Sequence, residues 1–515
     1  MLLSWLALLA PAMLLGVGLI PLRAGARLLR RAAIGAAIGT FAAAALVALG
    51  LLLNGRQSGF LVHLDAVSGV MFLLVAFIGL VVTAFSRRYL DGDPGQARFY
   101  RWLCLTLAAV LALTIAGNLL FFALAWIATS LCLHRLLVFY PERHGAQLAA
   151  RKKFVVSRLG DAALLAALLL ILGRFGTLEF GAIFAATDAL RGAEEPGIAI
   201  HLAAVFIALA AVLKSAQFPV HGWLPEVMET PTPVSALLHA GIINAGGFLV
   251  VRMADLVALS AQALDLLLLI GAATAIFGAA VMLTQTSVKV ALAWSTVAQM
   301  GFMILQCGLG AFAAAMLHIV AHAMYKAHAF LSAGSVIAGR KPGAQPPLPV
   351  AMLIPALGAA VALVLVVGVV FGMPFFEKPG VAVLGATLMM GLTPMLAAAL
   401  MARDEARFVA LRVGGFAVGV CVAYFALQLG AETLLAAALP AETAPRGPFA
   451  LIWAALTVLA FATLLVLNVL RRSGRPGPGL QAFYVHLFNG FYVNAWCNRL
   501  VARHWPLHRT MKGGV

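Results

Sequence analysis

The sequence predicts an all-α, polytopic membrane protein of about fifteen transmembrane helices. Three observations predict it. Hydrophobic residues make up 63% of the 515, with a mean hydropathy of +1.03, and charged residues only 10%, too few to coat a soluble core of this size. Apolar runs of about 20 residues, enough to cross a hydrocarbon core, recur from end to end. The formal charge of +17 does not point to nucleic acid, because Lys and Arg sit in short gaps between apolar runs, without a basic domain or an aromatic platform. The partner this composition implies is membrane lipid.

Taken in order, the runs place helices near residues 2–20, 32–54, 64–85, 102–116, 118–139, 154–173 and 198–217. The remainder fall near 234–253, 263–284, 288–308, 311–337, 349–372, 381–401, 409–430 and 449–470. The first run has no basic stretch before it and Arg23, Arg27, Arg30 and Arg31 after it, which reads as a retained helix and not a cleaved signal. Cys104, Cys132, Cys307, Cys421 and Cys497 follow no CxxC spacing and read as packing residues. The longest polar gaps, near 174–197 and 431–448, are loop-sized. After Arg472 a linker, RPGPGL, leads to QAFYVHLFNGFYVNAWCNRLVARHW, too polar to span easily and suited to an interfacial or protein-docked helix.

Assigning the gaps alternately to two sides separates the cations. One side receives Arg23 to Arg31, Arg87, Arg88, Arg98, Arg101, Arg143, Arg151 to Lys153, Lys289, Arg340, Lys341, Arg403 and Arg407. The other receives only Arg56, Arg174, Arg191, Arg252, Lys378 and Arg446. Cytoplasmic loops are enriched in Lys and Arg, so the expected placement is a bacterial inner membrane with a periplasmic N-terminus and a cytoplasmic C-terminus.

The segment VLKSAQFPVHGWLPEVMETPTPVSALLHAGIINAGGFLVVRM, residues 212–253, carries the first chemical signal. Pro219 removes a backbone donor and is expected to break the helix that carries Lys214. Such a break at membrane depth needs protein or water around it. Thr232 and Pro233 have N-cap and first-turn preferences, which places His239 about two turns into the restarted helix. A lysine at this depth either snorkels to the interface or is a desolvated group that takes and gives a proton.

The second signal is MLHIVAHAMYKAHAFLSAGSVI, where His318, His322 and Lys326 step by four along one helix face, with Tyr325 among them and His328 on another side. Three ionisable groups on one stripe suit a proton relay; the alternative is polar glue between helices. His318 and His322 share the spacing of a zinc protease, but Ile319 stands where that motif needs a glutamate base, so no metal site is expected. Lys289, at a helix start, is either an anchor or a relay member. Arg158 and Asp161, three apart, either neutralise each other or tune the charge of Lys214 from a neighbouring helix. With no nucleotide-binding glycine loop, haem motif or acyl-transfer triad, no enzymatic chemistry and no cofactor are expected in this chain.

These same stretches, LKSAQFPVHGWLPEVMETPTPVSALLHAG, VKVALAWSTVAQMGF, LHIVAHAMYKAHAFLSAGSVI and KKFVVSRLGD, closely resemble the NuoL/ND5-type proton-translocating subunits of respiratory complex I, from about Asp65 to Ile337. The resemblance implies two inverted five-helix repeats, each with a broken helix, around a central polar axis. It divides the chain into N-terminal helices (1–101), a first repeat (102–253), a second repeat (254–402), C-terminal helices (403–472) and an interfacial tail (473–515). It assigns Lys214 to the broken-helix lysine, His239 to a channel histidine, His318, His322 and Lys326 to the connecting relay, and Lys289 to a motif lysine.

The departures narrow the expectation. Where those subunits carry a glutamate beside a Trp, Trp126 is followed by Ile127, and Val381 to Met401 holds no lysine. The lateral helix of the largest complex I subunit is not expected, since the chain ends soon after the fifteenth run. YKAHAFLSAGSV and FYVHLFNGFYVNAWCNRL resemble most the DabB family, membrane subunits of a bacterial inorganic carbon uptake system. That resemblance implies a DabA-like soluble partner, similar to a β-carbonic anhydrase and carrying zinc, and proton- or cation-driven uptake of CO2 or bicarbonate. The alternatives are a pumping subunit of a complex I relative or a multisubunit cation/proton antiporter, and a purely structural anchor.

Overall fold

A computed structural model of the chain describes residues 2–191, 196–339, 349–375, 377–401, 407–441, 447–473 and 477–505. The loop cations Arg340, Lys341, Arg403 and Arg446, and part of the linker after Arg472, lie outside them.

The order is α1 (Leu2–Leu19), α2 (Ala26–Asn54), a short hairpin of β1 (Gln57–Ser58) and β2 (His63–Leu64), α3 (Ala66–Tyr89), α4 (Gln96–Ile115), α5 (Leu119–Leu137), α6 (His144–Phe175), α7 (Phe180–Leu190) and α8 (Ile198–Lys214). Then come α9 (Trp223–Glu226), α10 (Thr232–Ala240), α11 (Ala245–Arg252), α12 (Ala254–Val257), α13 (Ala261–Met282), α14 (Val288–Gly308) and α15 (Phe312–Gly339). The chain continues through α16 (Leu353–Val370), α17 (Pro379–Leu400), α18 (Arg407–Leu435), α19 (Gly447–Ser473), α20 (Pro478–Phe488) and α21 (Val493–His504).

Every expected apolar run coincides with helix, and among the described residues 13 helical stretches are long and apolar enough to cross a membrane. Two expected spans fall short of that standard for opposite reasons. α8 is apolar but 17 residues long, whereas α15 has 28 residues but carries His318, His322, Lys326 and His328.

Local chemistry sets the boundaries. Asp65 and Ser68 form a reciprocal capping box at the start of α3, Ser68 N donating to Asp65 Oδ1 (2.8 Å) and Asp65 N to Ser68 Oγ (2.7 Å). Asn118 caps α5 through the Phe121 amide at 2.9 Å. α6 begins at His144, about three turns earlier than its apolar run suggested, so Lys152 and Lys153 are buried helical residues and not loop cations.

The break after Lys214 also differs from expectation. α8 stops at Lys214 itself, and buried Ala216 turns the chain with a left-handed φ of 50° before Pro219 is reached. Residues 215–231 then run as turns and short helical pieces. Thr232 is the first residue of α10, with Pro231 at the cap, so its hydroxyl is free of capping and pairs elsewhere. A second interruption at 241–244 separates α10 from α11.

This interrupted rod lies at the centre of the bundle, with every residue of its hydrophobic window buried. α18 and α19 lie at the periphery, only 17% and 11% buried over theirs. Exposed Leu52, Leu411 and Leu459 are what a lipid-facing surface requires. α13 and α14 pack backbone to backbone: a Cβ on Gly301 would overlap the Ala275 amide, and one on Gly278 would fall 2.6 Å from that of Ala298. The C-terminal tail is two helices, because Gly490, Phe491 and Tyr492 all adopt positive φ between α20 and α21.

Candidate functional site

α5, α6 and α8 converge on the first polar cluster. Lys214, the last residue of α8, turns its ammonium inward, donating to the Trp126 carbonyl at 3.3 Å and lying 4.1 Å from the centre of that indole. The Trp126 indole N–H donates to Asp161 at 3.0 Å, and the other Asp161 oxygen pairs with Arg158 at 2.5 Å. Arg158 and Asp161 thus form an ion pair within α6, and Trp126 bridges the carboxylate to Lys214. The ammonium is 7% exposed as part of its residue and hydrogen-bonded inside the bundle, so Lys214 does not snorkel. One residue the sequence reading missed completes the cluster: Lys153 donates to the Ser130 carbonyl (2.8 Å) and hydroxyl (2.7 Å).

The second cluster is built by α10, α14 and α15. Lys326, fully buried, donates to the Leu292 carbonyl (2.9 Å) and the Ser295 hydroxyl (2.8 Å). Thr296 Oγ1 donates to the same Leu292 carbonyl at 3.1 Å and meets His239 Nδ1 at 2.9 Å, so Thr296 and Lys326 share an acceptor on α14 and Thr296 links His239 to it. His239 stacks on Phe330, their ring centres 4.4 Å apart. His318 Nδ1 meets Gln306 at 2.9 Å. The His318 and His322 rings lie 6.1 Å apart, and among the described residues neither His322 ring nitrogen has a hydrogen-bond partner.

His318, His322, Ser295, Gln306 and Tyr325 line a cavity of about 470 Å³. These polar groups, set in an otherwise largely apolar wall, and this volume suit ordered water, through which histidines can pass protons. Lys289 stands apart: at the start of α14 it donates to Thr232 Oγ1 at 3.1 Å, tying the starts of α14 and α10. Among the described residues no hydrogen bond or ion pair joins Lys214 directly to His239, and no group of three or more His, Cys, Asp or Glu is placed to hold a metal ion.

Two further polar features went unread in the sequence. Tyr424, Gln428 and Glu432 step by four on α18, and Gln428 lines both the histidine cavity and a second one, of about 230 Å³, that holds Lys378 and Glu432. Its amide donates to Glu432 at 2.7 Å. On the tail side, Lys152 pairs with Glu226 (2.5 Å) and donates to Asn494 of α21 (2.6 Å), while Asn498 donates to Glu226 (2.7 Å). The tail thus closes over the interrupted segment. On the opposite side, Arg252 grips Asp65 through both carboxylate oxygens, at 2.6 and 3.0 Å. Burial alone would raise the Asp65 pKa, but Arg252 and His63 together hold it well below the usual carboxylate range.

Such an architecture, interrupted helix, buried lysines and a histidine-bearing long helix, has known counterparts. Residues 116–377, more than half of the chain, match the family described as NADH:quinone oxidoreductase/Mrp antiporter, TM. The chain belongs to this antiporter-like family. Residues 54–100 match the N-terminus of complex I chain 5. Among curated antiporter-like relatives, the probable inorganic carbon transporter subunit DabB2 of Halothiobacillus neapolitanus is 41% identical over 452 residues, covering 86% of this chain and 80% of its own. The probable inorganic carbon transporter subunit DabB of Hydrogenovibrio crunogenus is 47% identical over 288 residues, 55% of this chain and 54% of that one. The Synechocystis NAD(P)H-quinone oxidoreductase chain 5 is 38% identical over 54% of this chain and 41% of its own; the chain spans about half or less of these last two relatives. Among solved structures, the Mrp complex from Dietzia superposes with a TM-score of 0.59 at 25% identity, covering 98% of this chain and 57% of that one. A chain of an archaeal membrane-bound sulfane sulfur reductase, 18% identical with a TM-score of 0.58, shares the fold over 97% of this chain and 98% of its own.

Proposed function

We propose that the chain is the proton-translocating membrane subunit of an energy-coupled inorganic carbon uptake complex of the bacterial inner membrane. The observation that carries this reading is the 41% identity, over 86% of the chain, to a protein named as a probable inorganic carbon transporter subunit. In this reading Lys214, His239, His318, His322 and Lys326 carry protons between the two faces, with Lys289 at the margin of the relay. The hydration chemistry belongs to a DabA-like, zinc-containing soluble partner, and this chain supplies the coupling.

Coexpression with a neighbouring zinc subunit should restore growth in air to bacteria that lack carbonic anhydrase. Lys214→Ala should abolish that rescue while the two subunits still co-purify; undiminished rescue would remove Lys214 from the mechanism.

The similarity to chain 5 subunits and to the Mrp complex favours a second reading, a pumping subunit of a complex I relative or a multisubunit cation/proton antiporter. Co-isolation of quinone-module or antiporter subunits, without a zinc protein, would establish it instead. Proton flux that responds to Lys326→Ala would exclude a purely structural anchor.

A further inference from the structure

The first cluster holds more positive charge than its one carboxylate can balance. Asp161 is occupied on both oxygens, by Arg158 and by the Trp126 indole. That leaves two ammonium groups, Lys153 and Lys214, with no carboxylate within ion-pair distance among the described residues. Both are buried, 3% and 7% exposed. They come from different helices yet end on the same strip of α5: Lys214 on the Trp126 carbonyl, Lys153 on the carbonyl and hydroxyl of Ser130. Positions 126 and 130 are one helical turn apart, so the two acceptor carbonyls are about 6 Å from each other.

Two buried ammonium groups on acceptors one helical turn apart repel each other in a medium that screens poorly. Backbone carbonyls stabilise a cation but do not cancel its charge. The other titratable groups near the pair do not relieve it. Cys132 and His134 lie on α5, Arg158 on α6 adds positive charge, and on the α9 side Glu226 is taken by Lys152. Glu229 accepts from the Ala146 amide near the start of α6.

We propose that Lys153 is the proton partner of Lys214, the two lysines holding one excess proton between them and passing it along α5 by way of the Ser130 hydroxyl. In each transfer the N–H bond of one ammonium breaks as a proton moves to the lone pair of the other amine, directly or with Ser130 Oγ taking one proton as it gives another, so charge is conserved. Position 127, an isoleucine, then needs no carboxylate, because the exchange partner comes from α6. This inference rests on the ion-translocating reading above and deepens it.

Solid-state NMR of the full chain in lipid bilayers, with 15Nζ-labelled lysine, separates neutral amines from ammonium groups. In K326M protein near neutral pH, one amine signal should remain beside the ammonium signals. Adding K153M or K214M should remove it in either case, since the surviving lysine then keeps the proton. Absence of the amine signal, or its survival in either of these variants, would overturn the proposal; K326M protein alone tests its presence if the pair variants fail to fold. A chain that fails to support carbon uptake but shows the shared signal would sink the functional reading and leave the pair standing.

Discussion

A lysine kept inside a lipid-facing bundle must find acceptors for its ammonium, and Lys153, Lys214 and Lys326 each find a helix carbonyl plus an aromatic face or a hydroxyl. Lys214, His318, His322 and Lys326 were legible in the sequence because charge stands out in an apolar run. Lys153 was not, since next to Arg151 and Lys152 it reads as one of a row of loop cations until α6 is seen to start at His144. The stripe on α18 was hidden differently: Tyr424 and Gln428 are polar without charge, and Glu432 lies near a helix end where a carboxylate is unremarkable. Its consequence is testable. Gln428 belongs to both cavities and donates to Glu432, so in the proposed relay Gln428 and Glu432 would extend the path of a proton leaving His318. Glu432→Gln keeps shape and hydrogen bonding but cannot exchange a proton. Proton flux in proteoliposomes should fall by on the order of a hundredfold, the scale of losing an acid–base group. Flux within twofold of wild type would close this route.

Helix positions were readable from hydropathy because about 20 apolar residues have few uses other than crossing a bilayer. What hydropathy does not carry is the way backbones meet. The interruption in α8 was expected at Pro219 and occurs at Lys214, because the turn at Ala216 and the packing of α11 against it end the helix first: a Cβ on Gly246 would overlap the Ala211 carbonyl. α13 and α14 show the same principle over longer contact. Gly301 admits the backbone of Ala275 where no side chain fits, whereas Gly414 on α18 faces open space. Gly301→Ala and Gly414→Ala gain the same intrinsic helix preference, so comparing them isolates the contact. Gly301→Ala should destabilise by about 1–3 kcal/mol and lower the unfolding temperature in detergent, while Gly414→Ala should be neutral or mildly stabilising. Equal effects would mean that α13 and α14 do not rely on this approach.

At the scale of the whole molecule, the two sets of loops separated by charge in the sequence also separate in space. Arg56, Arg191, Asp255 and Ala436 to Leu439, from the sparsely charged gaps, line one cavity of about 590 Å³. On the other side the tail gathers the Arg-rich gaps: Arg151 donates to the Trp505 carbonyl, Gln285 to that of Phe488 at 3.2 Å, and Tyr484 to that of Thr284 at 2.9 Å. The docked tail therefore marks one face, and the excess of Lys and Arg there predicts that this face is cytoplasmic. Cys497 lies on α21, half-buried and the one cysteine of the tail, while Cys104, Cys307 and Cys421 are buried and Cys132 belongs to α5. A membrane-impermeant thiol reagent should label Cys497 in inverted vesicles and not in right-side-out ones, with Cys497→Ser removing the signal. The opposite pattern would invert the topology. Glu226, Lys152 and the tail would then face the periplasm, and the cavity holding Lys378 and Glu432 would open toward the cytoplasm.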